Sequence, residues 1–419
     1  MRLSRYVLSI NGENTKILFN TINSCIIEIP SESFCDDTIR TEDFSQEDIN
    51  YMQENLFFIE DTRAIEIFNR DVKNDVLTII LGITEKCNFQ CKYCYENNIE
   101  NREKVMSIDM VDKIYRYIES VLKKANYIDC VEFDIIGGEP LLEKKLLQYI
   151  LIKMKDLKVR VDYLVETNGF LLDDDVRDMF ANDNVTFHVP LTMKDDHNRM
   201  RPLVSGKPTY DIVVKNLIAS KEFFNSDKHI LAIRYNANND NLEEADQFCC
   251  TIKELLQYDF VIDFAPTIKY EYNTDTLDIN MEKYKKWNVE KYYKNLIGEK
   301  HNEKFEYNPQ NCNGCIGYDE FSIKINPDGK LSVCNAWIGE NNGGNIDELL
   351  NGDSKKSIFK KLLKNPVDEE CLNCKYLFLC GGKKFCRRDN PCGFTDMDIE
   401  QYIRKYVERR VVDEEGKGD

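Results

Sequence analysis

The chain has 419 residues, with 56 basic against 74 acidic side chains and a formal net charge of −18. That length sets two to three domains at ~150 residues each, and an acidic chain with no Lys/Arg stripe excludes a nucleic-acid partner, which needs a basic face. No apolar run of about 18 residues is present, and Met1–Tyr6 lacks the apolar core and cleavage site of a signal peptide, so no membrane association and a soluble, cytoplasmic chain are expected.

Residues 1–76 open on short β-rich runs at Tyr6–Ile10, Thr15–Asn20 and Ser24–Ile29, parted by Asn-Gly and Asn-Thr turn chemistry. An acidic stretch follows, then a helix start at Ser45 with Asp48 as its capping-box partner. This segment holds no ligand cluster and reads equally as a packing extension or as a docking module for a peptide. Residues 77–300 alternate apolar runs (Leu77–Ile83, Val131–Ile136, Val161–Val165, Val185–Leu191, Ile230–Tyr235, Phe260–Ala265) with amphipathic helical patterns at Ile108–Leu122, Leu141–Met154, Tyr210–Phe224 and Leu242–Leu256. Short β-rich runs buried on both faces are what a parallel sheet requires. Six βα units predict an α/β fold, a partial (βα)6 TIM-like barrel short of the eight units that close one.

Residues 301–395 change character, holding ten of the 19 glycines and eight of the 16 cysteines with few long periodic segments. Apolar burial alone cannot hold such a region, and bound metal is the natural staple. The tail, 396–419, has helical spacing over Met397–Val412 and then a polar end.

Sixteen cysteines fall well short of the ~8–10% of a small disulfide scaffold, and in a cytosolic chain clustered thiols read as metal ligands or catalysts. Cys25, Cys35, Cys130, Cys249 and Cys250 carry no ligand spacing and are expected to be buried small apolar residues. The other eleven form three groups. In the first, Cys87-Asn-Phe-Gln-Cys91-Lys-Tyr-Cys94 follows the first barrel strand, at the strand end where such barrels build their active sites. Three thiolates can hold three irons of a 4Fe-4S cube and leave the fourth open. Spacing alone keeps zinc on three cysteines and a water, or a structural loop, as alternatives.

CxxxCxxC after the first strand of a sixfold βα barrel resembles the radical S-adenosylmethionine superfamily. The resemblance implies that Cys87, Cys91 and Cys94 hold a catalytic 4Fe-4S cluster whose open iron chelates the amino and carboxylate groups of S-adenosylmethionine, with Tyr93 packed near the adenine. Gly137-Gly138-Glu139-Pro140, after the second strand, matches the family's GGEP and implies a seat for the methionine amino group on the glycine backbone and the Glu139 carboxylate. Glu166-Thr167-Asn168-Gly169 ends the third strand as TNG does in relatives. In His188-Val189-Pro190-Leu191-Thr192, Pro190 and Thr192 replace the Ser and Asp of the family's VSLDG. His197, Arg199 and Arg201, then Pro202 and Gly206, resemble its HD..R..G stretch, and Ile233-Arg234-Tyr235-Asn236 its RxN element. Asn168, Thr192, Arg201 and Arg234 thereby join the expected cofactor contacts; the two arginines read equally as salt-bridged side chains, and His188 as a satisfied core histidine. Glu166, Asp263 and Tyr235, at strand ends, are candidate acid–base groups.

The second and third groups, Cys312-x2-Cys315-x13-Gly329-x4-Cys334 and Cys371-x2-Cys374-x5-Cys380-x5-Cys386-x5-Cys392, resemble the SPASM extension of radical enzymes. They depart from it at Cys380 to Cys386, spaced by five instead of three. The resemblance implies two auxiliary 4Fe-4S clusters, one on Cys312, Cys315, Cys334 and Cys386, the other on Cys371, Cys374, Cys380 and Cys392, for three clusters in all. A pair of zinc ribbons is the alternative.

SPASM enzymes act mostly on peptides or proteins. Anaerobic sulfatase maturases, which make formylglycine, carry an Asp where this chain has Asn335, a side chain that takes no proton at neutral pH. Maturases of ribosomally made precursor peptides often open on a leader-binding domain, and Lys16–Glu28 resembles the start of theirs, where an exposed strand can take up the leader. The expected function is therefore a peptide maturase. It would cleave S-adenosylmethionine to a 5′-deoxyadenosyl radical, take hydrogen from a ribosomally made precursor peptide and install a thioether or carbon–carbon cross-link. A low-potential donor, flavodoxin or ferredoxin, would supply the electron. Sulfatase maturation and a non-catalytic Fe–S electron carrier or sensor are the alternatives.

Overall fold

In the computed structural model of the protein, residues 1–68, 74–94, 96, 102–267, 283, 284, 287, 316, 319–333, 344–359 and 369–380 are described. By their contacts they form two units, one within Met1–Lys73 and Lys361–Asp419, the other within Asn74–Lys304 and Ile316–Lys360.

In the first unit β1 (Val7–Asn11), β2 (Thr15–Asn20) and β3 (Ile26–Pro30) form an antiparallel meander in which β1 and β3 are the edges. A small hairpin, β4 (Phe34–Cys35) and β5 (Thr38–Ile39), follows. Helix α1 (Gln46–Glu54) starts where the sequence predicts, with Ser45 Oγ accepting from Asp48 N and the Asp48 carboxylate from Ser45 N. Leu3, Leu18, Ile29 and Ile39 pack on Ile49, Met52 and Phe57, a core within the amino-terminal segment. A second core joins Leu8, Ile10 and Phe19 to Tyr376. A third joins Tyr6, Ile22 and Ala64 of α2 (Asp61–Phe68) to Leu377 and Phe378. Tyr6 Oη donates to Leu372 O at 2.8 Å, and its ring meets Phe378 edge-on with centroids 5.0 Å apart. The meander therefore closes over a segment more than three hundred residues away in sequence.

In the second unit β6 (Val76–Thr84), β7 (Cys130–Gly137), β8 (Arg160–Glu166), β9 (Asn184–Pro190), β10 (His229–Ala237) and β11 (Val261–Pro266) run parallel in chain order. Between them lie α3 (Ile108–Lys124), α4 (Lys144–Met154), α5 (Asp174–Phe180), α6 (Lys194–Met200), α7 (Tyr210–Ala219), α8 (Lys221–Phe224) and α9 (Ala245–Leu256). This is the expected partial (βα)6 barrel. Helix α3 shows why the pattern works: Ser107 caps Met110 N, Lys123 and Lys124 sit against the carboxyl-terminal dipole, and Val111, Ile114, Tyr117, Ile118 and Val121 form its buried stripe. The single helix expected over Tyr210–Phe224 divides at Ser220, whose Oγ donates back to Asn216 O at 2.7 Å and accepts from Arg177, a bond that bends helices. The sheet also extends past six strands. β12 (Ile323–Ile325) pairs parallel to β6, and β13 (Leu331–Ser332) pairs antiparallel to β12 through a turn with Gly329 at φ +80.

Side chains alternate faces along a strand, so register places them. On β8 to β11 the fully buried residues, such as Tyr163, Phe187, Ile233 and Phe264, face the helices, and the half-buried ones face the concave side. One concave row runs Lys324, Ile80, Asp134, Leu164 and Thr186. Glu166 and His188 lie in the next, and Pro190, Arg234 and Asp263 at the mouth. No helix of the described residues is long and apolar enough to cross a membrane. Of the five cysteines expected to be buried, Cys130 is; Cys25 and Cys249 are half-buried, and Cys35 and Cys250 are exposed, because each of the latter occupies the solvent side of a short hairpin or helix.

Candidate active site

Strand β6 ends at Thr84 and delivers the chain to Cys87. Two hydrogen bonds tie this loop to the one after β7: Gly138 N donates to Thr84 O at 2.9 Å and Glu139 N to Lys86 O at 2.8 Å. The approach leaves no room for side chains. A Cβ on Gly138 would lie 2.2 Å from Lys86 O, and one on Gly137, at φ +156, 2.4 Å from Thr84 O, so only glycine permits the contact. On its other side the cysteine loop is clamped by the segment leaving α6. Val204 N donates to Asn88 O, Gln90 N to Pro202 O and Lys92 N to Met200 O, at 2.8–3.0 Å. Asn168 Nδ2 donates to Asn88 Oδ1 at 2.8 Å. No spacing in the sequence marks this clamp.

Cys87, Cys91 and Cys94 are half-buried and free of disulfides. Burial pushes the Cys87 thiol up to about 12, the Cys94 thiol up to about 11, and the Cys91 thiol upward. A metal bound here must displace those protons. The three are not drawn round one point, since among the described residues no three His, Cys, Asp or Glu side chains gather as for a single ion.

Arg201, 5% exposed, donates to Tyr93 Oη at 2.8 Å, and Asn236 Nδ2 donates to the same oxygen at 3.0 Å. Its guanidinium lies 5.6 Å from the Phe89 ring centroid and 5.9 Å from that of Tyr93. Burial opposes its charge, but Cys91 and Tyr93 outweigh burial and raise its pKa. Arg201 Nε and Thr192 Oγ1 are buried with no hydrogen-bond partner among the described residues. Buried polar atoms without partners are rare, and Arg201, with Cys91 and Cys87 acting on its charge, fits an iron–sulfur cluster carrying a polar cofactor.

Other expected contacts are occupied within the protein. The fully buried Glu139 carboxylate accepts from Leu141 N at 3.0 Å, Thr167 Oγ1 at 2.6 Å and Asn168 N at 2.7 Å. It clasps the loops after β7 and β8, and the N–H groups of Gly138 and Glu139 already serve Thr84 and Lys86. Pro140 is buried at the start of a 3-10 turn. Arg234 donates to Asp263 at 2.8 Å and to Asn236 Oδ1 at 3.3 Å. His188 Nε2 stands 3.5 Å from Asp263 Oδ2. Because β9 and β11 flank β10, that contact closes over β10 on the concave face, so His188 is a mouth-lining residue and not a core histidine. Burial favours the neutral Asp263 carboxyl, but the hydrogen bond from His188 and the Arg234 charge outweigh it and lower the pKa. Tyr235 is corrected: fully buried, it faces the helices and donates to Asn241 O at 2.6 Å, out of reach of the concave side. Glu166 remains on that side. His197 is fully buried, kept neutral by burial and by Arg201, with neither ring nitrogen partnered among the described residues.

Of the carboxyl-terminal cysteines, Cys371 and Cys374 are joined by a Cys374 N to Cys371 O bond of 3.0 Å, and Tyr376 N donates to Cys374 Sγ at 3.4 Å. Cys380 ends a short helix, Leu377–Cys380. Cys312, Cys315, Cys334, Cys386 and Cys392 lie outside the described residues.

Comparison with known proteins agrees with this geometry. The family model for the radical SAM superfamily matches residues 81–249. The chain is 23% identical over 345 residues to a radical SAM cyclopropyl synthase, TigE, of Paramaledivibacter caminithermalis, covering 73% of this chain and 67% of that protein. It is 22% identical over 371 residues to a cysteine-type anaerobic sulfatase-maturating enzyme of Clostridium novyi, covering 80% and 94%. Among solved structures, native anSMEcpe with bound AdoMet aligns with TM-score 0.60 at 18% identity over 80% of this chain and 98% of that one. SuiB of Streptococcus suis, bound to its precursor peptide SuiA, aligns with TM-score 0.52 at 16% identity over 90% and 94%. These two likenesses establish the fold.

Proposed function

Because the chain carries a radical SAM superfamily domain, which implies a 4Fe-4S cluster and S-adenosylmethionine, we propose that it is a peptide maturase with its active cluster on Cys87, Cys91 and Cys94. When bound, the cluster and cofactor supply a one-electron cleavage that yields a carbon radical able to take an unactivated hydrogen. The observation that carries the reading is the cysteine loop itself, held between the Gly137–Glu139 backbone and the 200–204 segment.

The chain's own residues position and exclude. Tyr93 is locked by Arg201 and Asn236, which fixes an aromatic face beside the cysteines. Arg201 Nε and Thr192 Oγ1 offer the cofactor a donor and a hydroxyl. Arg234 is held by Asp263 and Asn236, so a cofactor carboxylate there would share the guanidinium with Asp263. Glu166, on the concave face, is the proposed proton acceptor for substrate.

The finer substrate, a ribosomally made precursor peptide that gains a thioether or carbon–carbon cross-link, is supported by the precursor peptide bound to SuiB, and formation of a carbon–carbon bond by the cyclopropyl synthase activity for which TigE is named. The edges of the β1–β3 meander would take up a leader strand, and a flavodoxin- or ferredoxin-class donor would supply the electron. Cys312, Cys315, Cys334 and Cys386, and Cys371, Cys374, Cys380 and Cys392, are proposed to hold two auxiliary 4Fe-4S clusters. Sulfatase maturation is the second reading, favoured by the likeness that spans 94% of the Clostridium novyi enzyme.

The test is anaerobic reconstitution followed by reduction with S-adenosylmethionine, without and with a precursor peptide encoded beside the gene or a sulfatase-derived Cys peptide. 5′-Deoxyadenosine together with a mass loss in the precursor supports the reading. A mass loss only in the sulfatase peptide moves the chain to the second reading, and no 5′-deoxyadenosine at all sinks both. Replacing Cys87, Cys91 and Cys94 by Ala should abolish cofactor cleavage while leaving the auxiliary iron in place.

A further inference from the structure

The cysteine loop has a second cation beside it that belongs to no motif. A terminal nitrogen of Arg102 lies 4.0 Å from Cys94 Sγ. The same guanidinium pairs with Glu96, whose side chain is 6% exposed, and its charge is felt at Cys87 and Cys91 as well. Burial works against the guanidinium charge, but Glu96 and the Cys94 thiol outweigh it and hold the proton on. Arg102 Nε is buried and has no hydrogen-bond acceptor among the described residues. A guanidinium presents five donors in a rigid fork; Glu96 fixes this one in direction and leaves a donor over. Burial pushes the Glu96 carboxyl up while Arg102 and, from the concave row, Lys324 oppose that shift; the contact between Glu96 and Arg102 anchors the guanidinium.

We infer that Arg102, positioned by Glu96, donates to the sulfur shell of the cluster on Cys87, Cys91 and Cys94 and raises the potential at which that cluster accepts its electron. The inference rests on the reading that these cysteines carry a 4Fe-4S cluster. A thiolate-ligated cube gains one unit of negative charge on reduction and loses none of its bonds, so an adjacent fixed cation stabilises the reduced form more than the oxidised one. Hydrogen bonds to the sulfurs act in the same direction. The electron comes from a low-potential one-electron donor, dithionite in the experiment below. Arg102 is thus a positioning residue that acts through the cluster.

The test is an EPR-monitored redox titration of the reconstituted full-length chain without S-adenosylmethionine, for wild type, Arg102→Gln and Arg102→Lys. Iron and sulfide are measured on each sample. A chain with Cys87, Cys91 and Cys94 replaced by Ala identifies which signal belongs to this cluster. Arg102→Gln should lower the reduced-to-oxidised ratio at a given potential about tenfold, a shift of ~59 mV for one electron, with iron unchanged. Arg102→Lys keeps the charge, loses the fork and should shift less in the same direction. A wild-type potential in Arg102→Gln at full iron content overturns the inference. If Arg102→Gln fails to load, an unshifted potential in Arg102→Lys overturns it instead. Should the titrating signal survive in the triple cysteine variant, the cluster assignment itself fails, an outcome distinct from an unmoved potential in the arginine variants.

Discussion

Asp134 shows how far one residue can depart from its sequence appearance. It is 8% exposed on the concave row, with Oδ1 lacking a partner among the described residues. Burial, with Glu166 and Glu132 adding repulsion and Lys324 opposing it, pushes its carboxyl up to about 8. Between about pH 4, the ordinary carboxylate range, and pH 8 the folded chain keeps a proton that the unfolded chain releases. Stability attributable to this group should fall as pH rises through that window and level off above it. Asp134→Asn should flatten the slope and gain on the order of a few kcal/mol at pH 8, read by denaturant unfolding of both chains across the window; parallel profiles would refute it. Burial pushes the Glu139 carboxyl up as well, but here three hydrogen bonds oppose the shift. Its carboxylate satisfies three donors at zero exposure, so Glu139→Ala should cost about 2–4 kcal/mol in the metal-free protein, measured by the same unfolding experiment. A purely cofactor-facing carboxylate would leave that stability unchanged. The role of Glu139 was legible from its motif, Gly137-Gly138-Glu139-Pro140, whereas Asp134 was hidden inside the apolar run Val131–Ile136. Which partner each carboxylate meets was not legible, because Thr167 and Lys324 are brought in by the fold.

At the scale of elements, parity explains the misreading of Tyr235. The run Ile230–Tyr235 is apolar enough to be buried on both faces, and nothing in it says which residues turn inward. Register decides, placing Arg234 inward opposite Asp263 and Tyr235 outward against Phe248. The glycine pair after β7 is an element-level device of the same kind. Gly138→Ala would drive a methyl group to 2.2 Å from Lys86 O and should displace the cysteine loop, lowering iron at the first cluster while the fold persists. Gly206 is the control. It has φ +78 but nothing within 4 Å of a built Cβ, so Gly206→Ala should cost only about 1 kcal/mol and keep full iron. Equal iron loss in both variants would mean that general destabilisation is at work, not the loop contact.

At the scale of the molecule, six βα units and a cysteine-rich end were visible as periodicity and spacing. The strand β12 beside β6 was not, since three residues, Ile323–Ile325, are too few to show a pattern. Nor was the closure of the amino-terminal meander over residues 371–378, which no local signal encodes. Removing residues 1–68 should therefore uncover Tyr376, Leu377 and Phe378 and lower the iron proposed to bind through Cys371 and Cys374, measured as iron per chain after reconstitution. Unchanged iron would show that the segment stands alone. The same closure has a consequence for how the protein is made. Tyr6 leaves the ribosome first but waits for Leu372, 366 residues later, about 20–70 s at 5–20 residues per second. Throughout that interval the meander's core lacks one of its walls, and the whole of the barrel unit is synthesised before that wall arrives. A nascent chain stalled before residue 369 should then expose a sticky β-sheet to chaperones, and the iron proposed for Cys371 and Cys374 can bind only once those residues have emerged.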